Sequence, residues 1–338
     1  MADSINQVTE AALASALEIS CDGGEDAVVL RPSLTMHHDD RFWAMTRLEA
    51  DRFAIHVNAG TVKQIRELWQ TLWPHGVFID GDGKRLRSLT GNDGPDRLIH
   101  TSMKWLMLHE LMHVEMGHFE FMDKAEIVGL ASAQPAKSSK VKLPEHLGLD
   151  PLVVRHCFEM QADWQASELM LSRYAADEFM PLRVESVAIM AVIALIERQN
   201  ILAGLAGHEH PSAASRFFTM MAGLFQRWMY ERAQLVEGRH TSRVRMHTLP
   251  SDEDLRMYLD CLVRPVIDDI IVVATVLELT EFTNELGGDS PLIQDIFTAQ
   301  FGEDISDATL KSKGDREWAR LIVANEELKL AMAQRESG

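Results

Sequence analysis

Residues 105–118 read WLMLHELMHVEMGH, an apolar stretch that carries His109, Glu110, His113 and His118. On a helix, residues i and i+4 lie on one face, so His109 and His113 point the same way and can share one metal ion. Glu110 stands about 100° around the helix from His109, close enough to meet a water on that ion without ligating it. Two imidazoles holding a cation, with a carboxylate to take the water's proton, make a centre suited to hydrolysis. Leu106, Met107, Leu108, Leu111, Met112, Val114 and Met116 surround these groups, as in a buried helix whose charged members face a cavity. The plain alternative is two hydrogen-bonded core histidines beside a surface glutamate. With 14 histidines in the chain, the pentapeptide HELMH is suggestive on its own and gains weight only from its context.

A catalytic zinc ion takes three protein ligands and keeps a fourth position open. Residues 155–170, RHCFEMQADWQASELM, place Glu159 and Asp163 four apart, again on one helical face. Glu159 would bind the metal. Asp163 would accept a hydrogen bond from the outer ring nitrogen of a histidine ligand, orienting it and raising its basicity. The plain reading of both is the polar face of an amphipathic helix. His156, three residues before Glu159, is a rival ligand, and Cys157 reads as a buried apolar cysteine. The register HExxHxxGxxH fails here, because the glycine is Gly117 and the next histidine is His118. His118 is therefore read as a support or packing residue.

Three ordered motifs carry a family resemblance. His109-Glu110-Leu-Met-His113, then Glu159-Met-Gln-Ala162-Asp163, then His210-Pro211-Ser-Ala-Ala-Ser-Arg216 together resemble the HExxH…ExxAD…HPxxxxR pattern of gluzincin zinc metallopeptidases, M48-like ones especially. His118 also matches the HExxHxxxxH form of that group. The resemblance implies zinc (Zn2+) at His109, His113 and Glu159, Glu110 as general base, and Asp163 behind a ligand. It implies that His210 and Arg216 lie by the cleft as catalytic candidates, His210 over the attacking water and Arg216 bracing a carboxylate or stabilising oxyanion charge. The same HPxxxxR residues also read as a helix start, with Pro211 in the first turn and Arg216 on the surface. M48-type enzymes typically carry membrane spans or secretion signals, which this sequence does not show. A soluble, acidic version is similar to the ImmA/IrrE-like peptidases and the Lit-type phage-exclusion peptidases, which cut specific intracellular proteins.

The elements that must position these residues follow from periodicity. FAIHV, residues 53–57, alternates like a strand, and Asn58-Ala59-Gly60 reads as a turn. Ile65, Leu68, Trp69, Leu72 and Trp73 then fall on one helical face. FAIHVNAG stands where zinc peptidases place an edge strand for extended substrate, although a plain core strand reads as well. The motif helix is expected from Pro95-Asp96 to about Met122. Residues 131–150 read as a loop or lid, rich in lysine, small residues and proline. Beyond Pro151 the pattern is helical over roughly 151–172, 181–204, 211–236, 251–284 and 315–334. The expected fold is mainly α, a zincin-like metallopeptidase helical domain spanning 1–338: a small N-terminal α/β part (1–94), a zinc-binding helical core (95–236) and a C-terminal helical part (237–338).

Bulk properties narrow the partner. A formal net charge of −18 argues against nucleic acid and anionic membranes, which need a basic surface. Cys21, Cys157 and Cys261 are widely spaced and odd in number, which suits a reducing compartment. No basic start with an unbroken apolar core opens the sequence, and the longest apolar run, residues 187–196, is half of what spans a bilayer. A cytoplasmic protein acting on a protein or peptide substrate is expected. GRHTSRVRMH, residues 238–247, is a basic island, and Tyr230, Arg239, His240 and His247 are unranked oxyanion donors. The 18 methionines read first as core filler. The amphipathic tail with Trp318, Leu321, Ile322, Leu328 and Leu330 reads as a helix docked on its own domain.

Overall fold

Strand alternation and helical periodicity resolve into a mostly helical chain with one small sheet in the computed structural model. It describes residues 2–21, 32–49, 52–80, 82–84, 86, 89, 94–121, 148–205, 210–237, 251–287, 295 and 310–336. Apart from Pro32 and residues 148–150, the short β-like run DAVVLRP (residues 26–32), the expected loop at 131–150 and the basic island lie outside the described residues, as does the side chain of Tyr230.

Helix α1 (Ala2–Cys21) precedes strands β1 (Ser33–His37), β2 (Ala44–Glu49) and β3 (Arg52–Asn58). The order is β1-β3-β2, with β1 parallel and β2 antiparallel to β3. FAIHV thus lies in the middle strand, and β1 and β2 are the two edges. In the register of β2 Thr46 faces Ile55, which sets both on the same side of the sheet.

Asn58 does not open a turn. It caps helix α2 (Ala59–Leu72) directly. Gly60 is required there, since a Cβ would lie 2.4 Å from the carbonyl oxygen of Arg41. Val62, Ile65, Leu68, Trp69 and Leu72 form the buried face of α2, and Trp69 Nε1 donates to Ser102 Oγ at 2.9 Å.

Helix α3 (Gly94–Glu115) is buried along nearly all of Leu98–Val114. It ends sooner than expected, because Gly117 adopts φ 69°, a left-handed conformation that breaks the helix. Residues His118–Glu120 follow in a 3₁₀ turn. Asp150 caps helix α4 (Pro151–Leu171), accepting from Leu152 N at 2.8 Å. Helix α5 (Phe179–Leu202) is long and apolar enough to cross a membrane by length and composition, and 83% of its most apolar window is buried inside the protein. It packs against α3, α4, α6 (Ala213–Glu237) and α8 (Arg264–Val276).

The expected helix at 251–284 is three pieces: α7 (Asp252–Tyr258), α8 and α9 (Thr280–Leu286), with a π segment at Leu259–Val263. Pro265 starts α8 without an amide to donate, and Glu278 at φ 59° ends the run. Helix α10 (Lys313–Glu336) crosses α4 and α6. One hydrophobic cluster runs from Ala12 in α1 to Leu328 in α10.

Candidate metal centre

Helices α3 and α4 pack against each other and bring His109, His113, Glu159 and Asp163 together, all buried. His109 and His113 are 0% and 1% exposed, and Glu159 is 5% exposed. His109 Nε2 lies 3.1 Å from His113 Nε2 and 3.3 Å from Glu159 Oε2, while His113 Nε2 lies 3.5 Å from Glu159 Oε1. Ligands at about 2.0–2.1 Å from a tetrahedral ion stand roughly 3.3–3.4 Å apart, and these contacts are of that length, each histidine meeting a different oxygen of Glu159.

The residues fit a cation on chemical grounds too. A neutral His109 that gives its Nδ1 proton to Asp163 turns an Nε2 lone pair toward His113. The two ring nitrogens at 3.1 Å need either a ring proton or a cation between them. Glu159 adds a buried negative charge. Glu110 Oε1 and His210 Nε2 are buried without a hydrogen bond, the condition that an ion or water relieves. The group His109, His113 and Glu159 could hold a metal ion, with all three ligand atoms within 4.8 Å of one another.

Each neighbour is fixed by a different element. Asp163 Oδ1 sits 2.9 Å from His109 Nδ1. Arg216 in α6, 3% exposed, donates to both oxygens of Asp163 at 2.5 and 2.7 Å. Its guanidinium also lies 5.9 Å over the Trp105 ring, which stands 5.5 Å from His109. Arg216 is therefore not a surface residue; it braces a carboxylate. Thr46 in β2 donates from Oγ1 toward Glu110, 2.9 Å from Oε2 and 3.0 Å from the backbone oxygen. His210 Nε2 approaches Glu159 Oε2 at 3.5 Å, with Asn200 Nδ2 3.5 Å from its Nδ1. His210 is not one of the three grouped ligands.

Gly117 folds the chain back, so that His118 Nδ1 meets His113 Nδ1 at 2.9 Å. In a continuous helix five residues would carry His118 about 140° away. His118 Nε2 lies 2.9 Å from Gln161 Oε1, and Gln161 Nε2 donates to Asn325 Oδ1 in α10 at 2.6 Å. The rivals lie elsewhere. His156 Nδ1 is 4.0 Å from Glu317, and the thiol of Cys157, pushed up to about 12 by burial, points at Leu321 O.

Without a metal the charges divide sharply. Burial opposes ionisation of His109, yet its hydrogen bonds to Asp163 and Glu159 outweigh that and raise it to about 9. Burial likewise works against Glu159, but His210, His113 and His109 hold it well below the usual carboxylate range. Asp163 is lowered despite burial, chiefly by Arg216 and then His109. Burial lifts Glu110 to about 7, and drops His118 and His210 to about 4. His113 also falls well below its ordinary value through burial.

Thr46, Gln161 and Asn325 were not singled out by sequence. Only Asn325 left a signal, as a polar residue inside the apolar stripe of Leu321 and Leu328.

Residues 95–227 match the family model described as Peptidase U49. That span reaches from the start of α3 into α6 and includes every residue from His109 to Arg216 discussed above. No curated protein and no solved structure matches the chain. Similarity to a peptidase family, together with the buried His-His-Glu group, fits a metallopeptidase.

Proposed function

We propose that the chain is a zinc-dependent endopeptidase that hydrolyses peptide bonds of an intracellular protein. One observation carries the reading: two imidazole nitrogens and a carboxylate converge in the interior, and the residue after the first histidine is a glutamate with an unpaired oxygen. The donor set, two histidines and a glutamate, is one that catalytic zinc uses. When bound, zinc polarises a carbonyl and lowers the pKa of a water toward about 7.

The protein's own groups do the rest. Thr46 occupies Oε2 of Glu110 and leaves Oε1 to take a proton from the attacking water and pass it to the leaving amine. Asp163 keeps the Nδ1 proton of His109, so that Nε2 faces the metal. Arg216 positions Asp163 and does not touch the reacting atoms in this reading. His210, beside Glu159, is the candidate to face the substrate carbonyl oxygen. Among the described residues β2 pairs with β3 alone, and an extended peptide adding to its other edge would run past Glu110. A net charge of −18 favours a protein partner over nucleic acid or an anionic membrane.

The purified protein is expected to carry about one zinc per chain, with Glu110→Gln keeping the metal and losing activity by roughly 10²–10⁴-fold. Mapping of new protein N-termini in cells expressing wild type or Glu110→Gln reads both cutting and substrate. Identical N-terminal maps would remove the peptidase reading. They would favour a metal-binding regulator in which His210, buried with a free Nε2, closes the fourth position.

A further inference from the structure

We infer that α10 completes the metal centre: Asn325, acting through Gln161 and His118, fixes the tautomer and orientation of ligand His113. This rests on the proposed function only in taking His109, His113 and Glu159 as a metal site.

The direction of the chain of bonds follows from the ligand. His113 turns Nε2 toward His109 and Glu159. A metal on that nitrogen takes its lone pair, so the proton of the neutral ring must sit on Nδ1. Nδ1–H then donates to His118 Nδ1 across 2.9 Å. His118, having accepted on Nδ1, carries its own proton on Nε2 and donates to Gln161 Oε1. The Gln161 amide closes the series by donating to Asn325 Oδ1. With a metal on His113 Nε2, this is the sense in which every donor meets an acceptor. Run the other way, His113 would present a proton to the metal.

Burial makes the series stiff. His118 is 0% exposed, Gln161 5% and Asn325 4%. The His118 ring also stacks on Phe158, centroids 4.4 Å apart. Asn325 interrupts the inward stripe of Leu321, Ala324 and Leu328. A buried amide there costs stability unless it is bonded, and the bond shown is the one to Gln161. The ordinary role of α10, packing on α4 and α6, needs no amide at that position. Asn325 is thus a positioning residue, remote in sequence from His113 and joined to it through two side chains.

The test measures zinc affinity of the full chain by chelator competition, with the visible spectrum of the cobalt-substituted protein as a second readout. Asn325→Leu is expected to weaken zinc binding by about 10–100-fold and to shift the cobalt bands, as loss of a partner behind a ligand does. Leu328→Ala, on the same helix face but outside the bond series, is expected to lower the melting temperature while zinc affinity stays within about threefold of wild type. Asn325→Asp keeps the acceptor oxygen and is expected to recover most of the affinity. His118→Phe preserves the ring stack and carries the same affinity readout should Asn325→Leu not fold. Wild-type affinity in Asn325→Leu or in His118→Phe would overturn the inference while leaving the metal site intact. A wild-type chain that takes up no metal would overturn the metal site itself.

Discussion

His109 and His113 stand one helical turn apart on α3, equally buried and aimed at one point, yet they are held by opposite means. Behind His109 is a charged pair, Asp163 and Arg216, supplied by α4 and α6. Behind His113 is an uncharged series, His118, Gln161 and Asn325, supplied by the 3₁₀ turn after α3, by α4 and by α10. A carboxylate raises the basicity of its imidazole and draws positive charge inward; neutral dipoles orient a ring without adding charge. With Glu159 already negative, a second carboxylate behind His113 would leave the interior with excess charge. One charged and one neutral support give two oriented ligands near electrical balance.

The largest effect should come from breaking the charged support. Arg216→Ala leaves Asp163 buried with no cation and is expected to destabilise the protein by about 3–5 kcal/mol, as measured by denaturant unfolding. Zinc affinity should fall with it. An unchanged unfolding midpoint would mean that Arg216 is not the partner that keeps Asp163 ionised.

A smaller change separates holding the metal from moving the proton. Thr46→Val removes the hydrogen bond to Glu110 Oε2 but touches neither ligand support. It is expected to lower kcat by about tenfold, in line with a loss of ~1.5 kcal/mol, at constant zinc content. Loss of metal in this variant would place β2 among the structures that support the ligands.

The change with the least bearing on zinc affinity concerns the start of α10. Asp315 is buried beside Asp295, and burial and that neighbouring carboxylate push it up to about 8. Between pH about 4 and about 8 the unfolded chain has lost this proton and the folded chain keeps it, so its contribution to stability falls as pH rises. Above about 8 the contribution is flat. Asp315→Asn should flatten that slope in melting temperature against pH and leave zinc affinity near wild type. An unaltered slope would show that Asp315 ionises freely in the fold.

These contrasts also mark what could be read from sequence. His109, Glu110, His113, Glu159, Asp163, His210 and Arg216 were legible because each motif sits within one helix or at its start, where spacing alone fixes direction. The mostly helical fold and the burial of α5 were legible for the same reason. Thr46 was not, because its approach to Glu110 depends on a short edge strand with no regular alternation, and strand position is set by pairing across the sheet. Between the two readings of FAIHV, pairing across the sheet bears out the plain core strand and not the edge. His118 was seen as a support, but its partner required the break at Gly117, which sequence spacing on an unbroken helix hides. The helix over 251–284 broke where Pro265 allowed it, a cue present in the sequence and outweighed by the apolar periodicity around it.

The most direct measurement is anomalous X-ray scattering from crystals of the purified chain, recorded above and below the zinc absorption edge. One peak bonded to His109 Nε2, His113 Nε2 and Glu159, absent below the edge, is the expected result. A zinc-replete crystal with no density among these three side chains, or with the metal held elsewhere, would contradict the account.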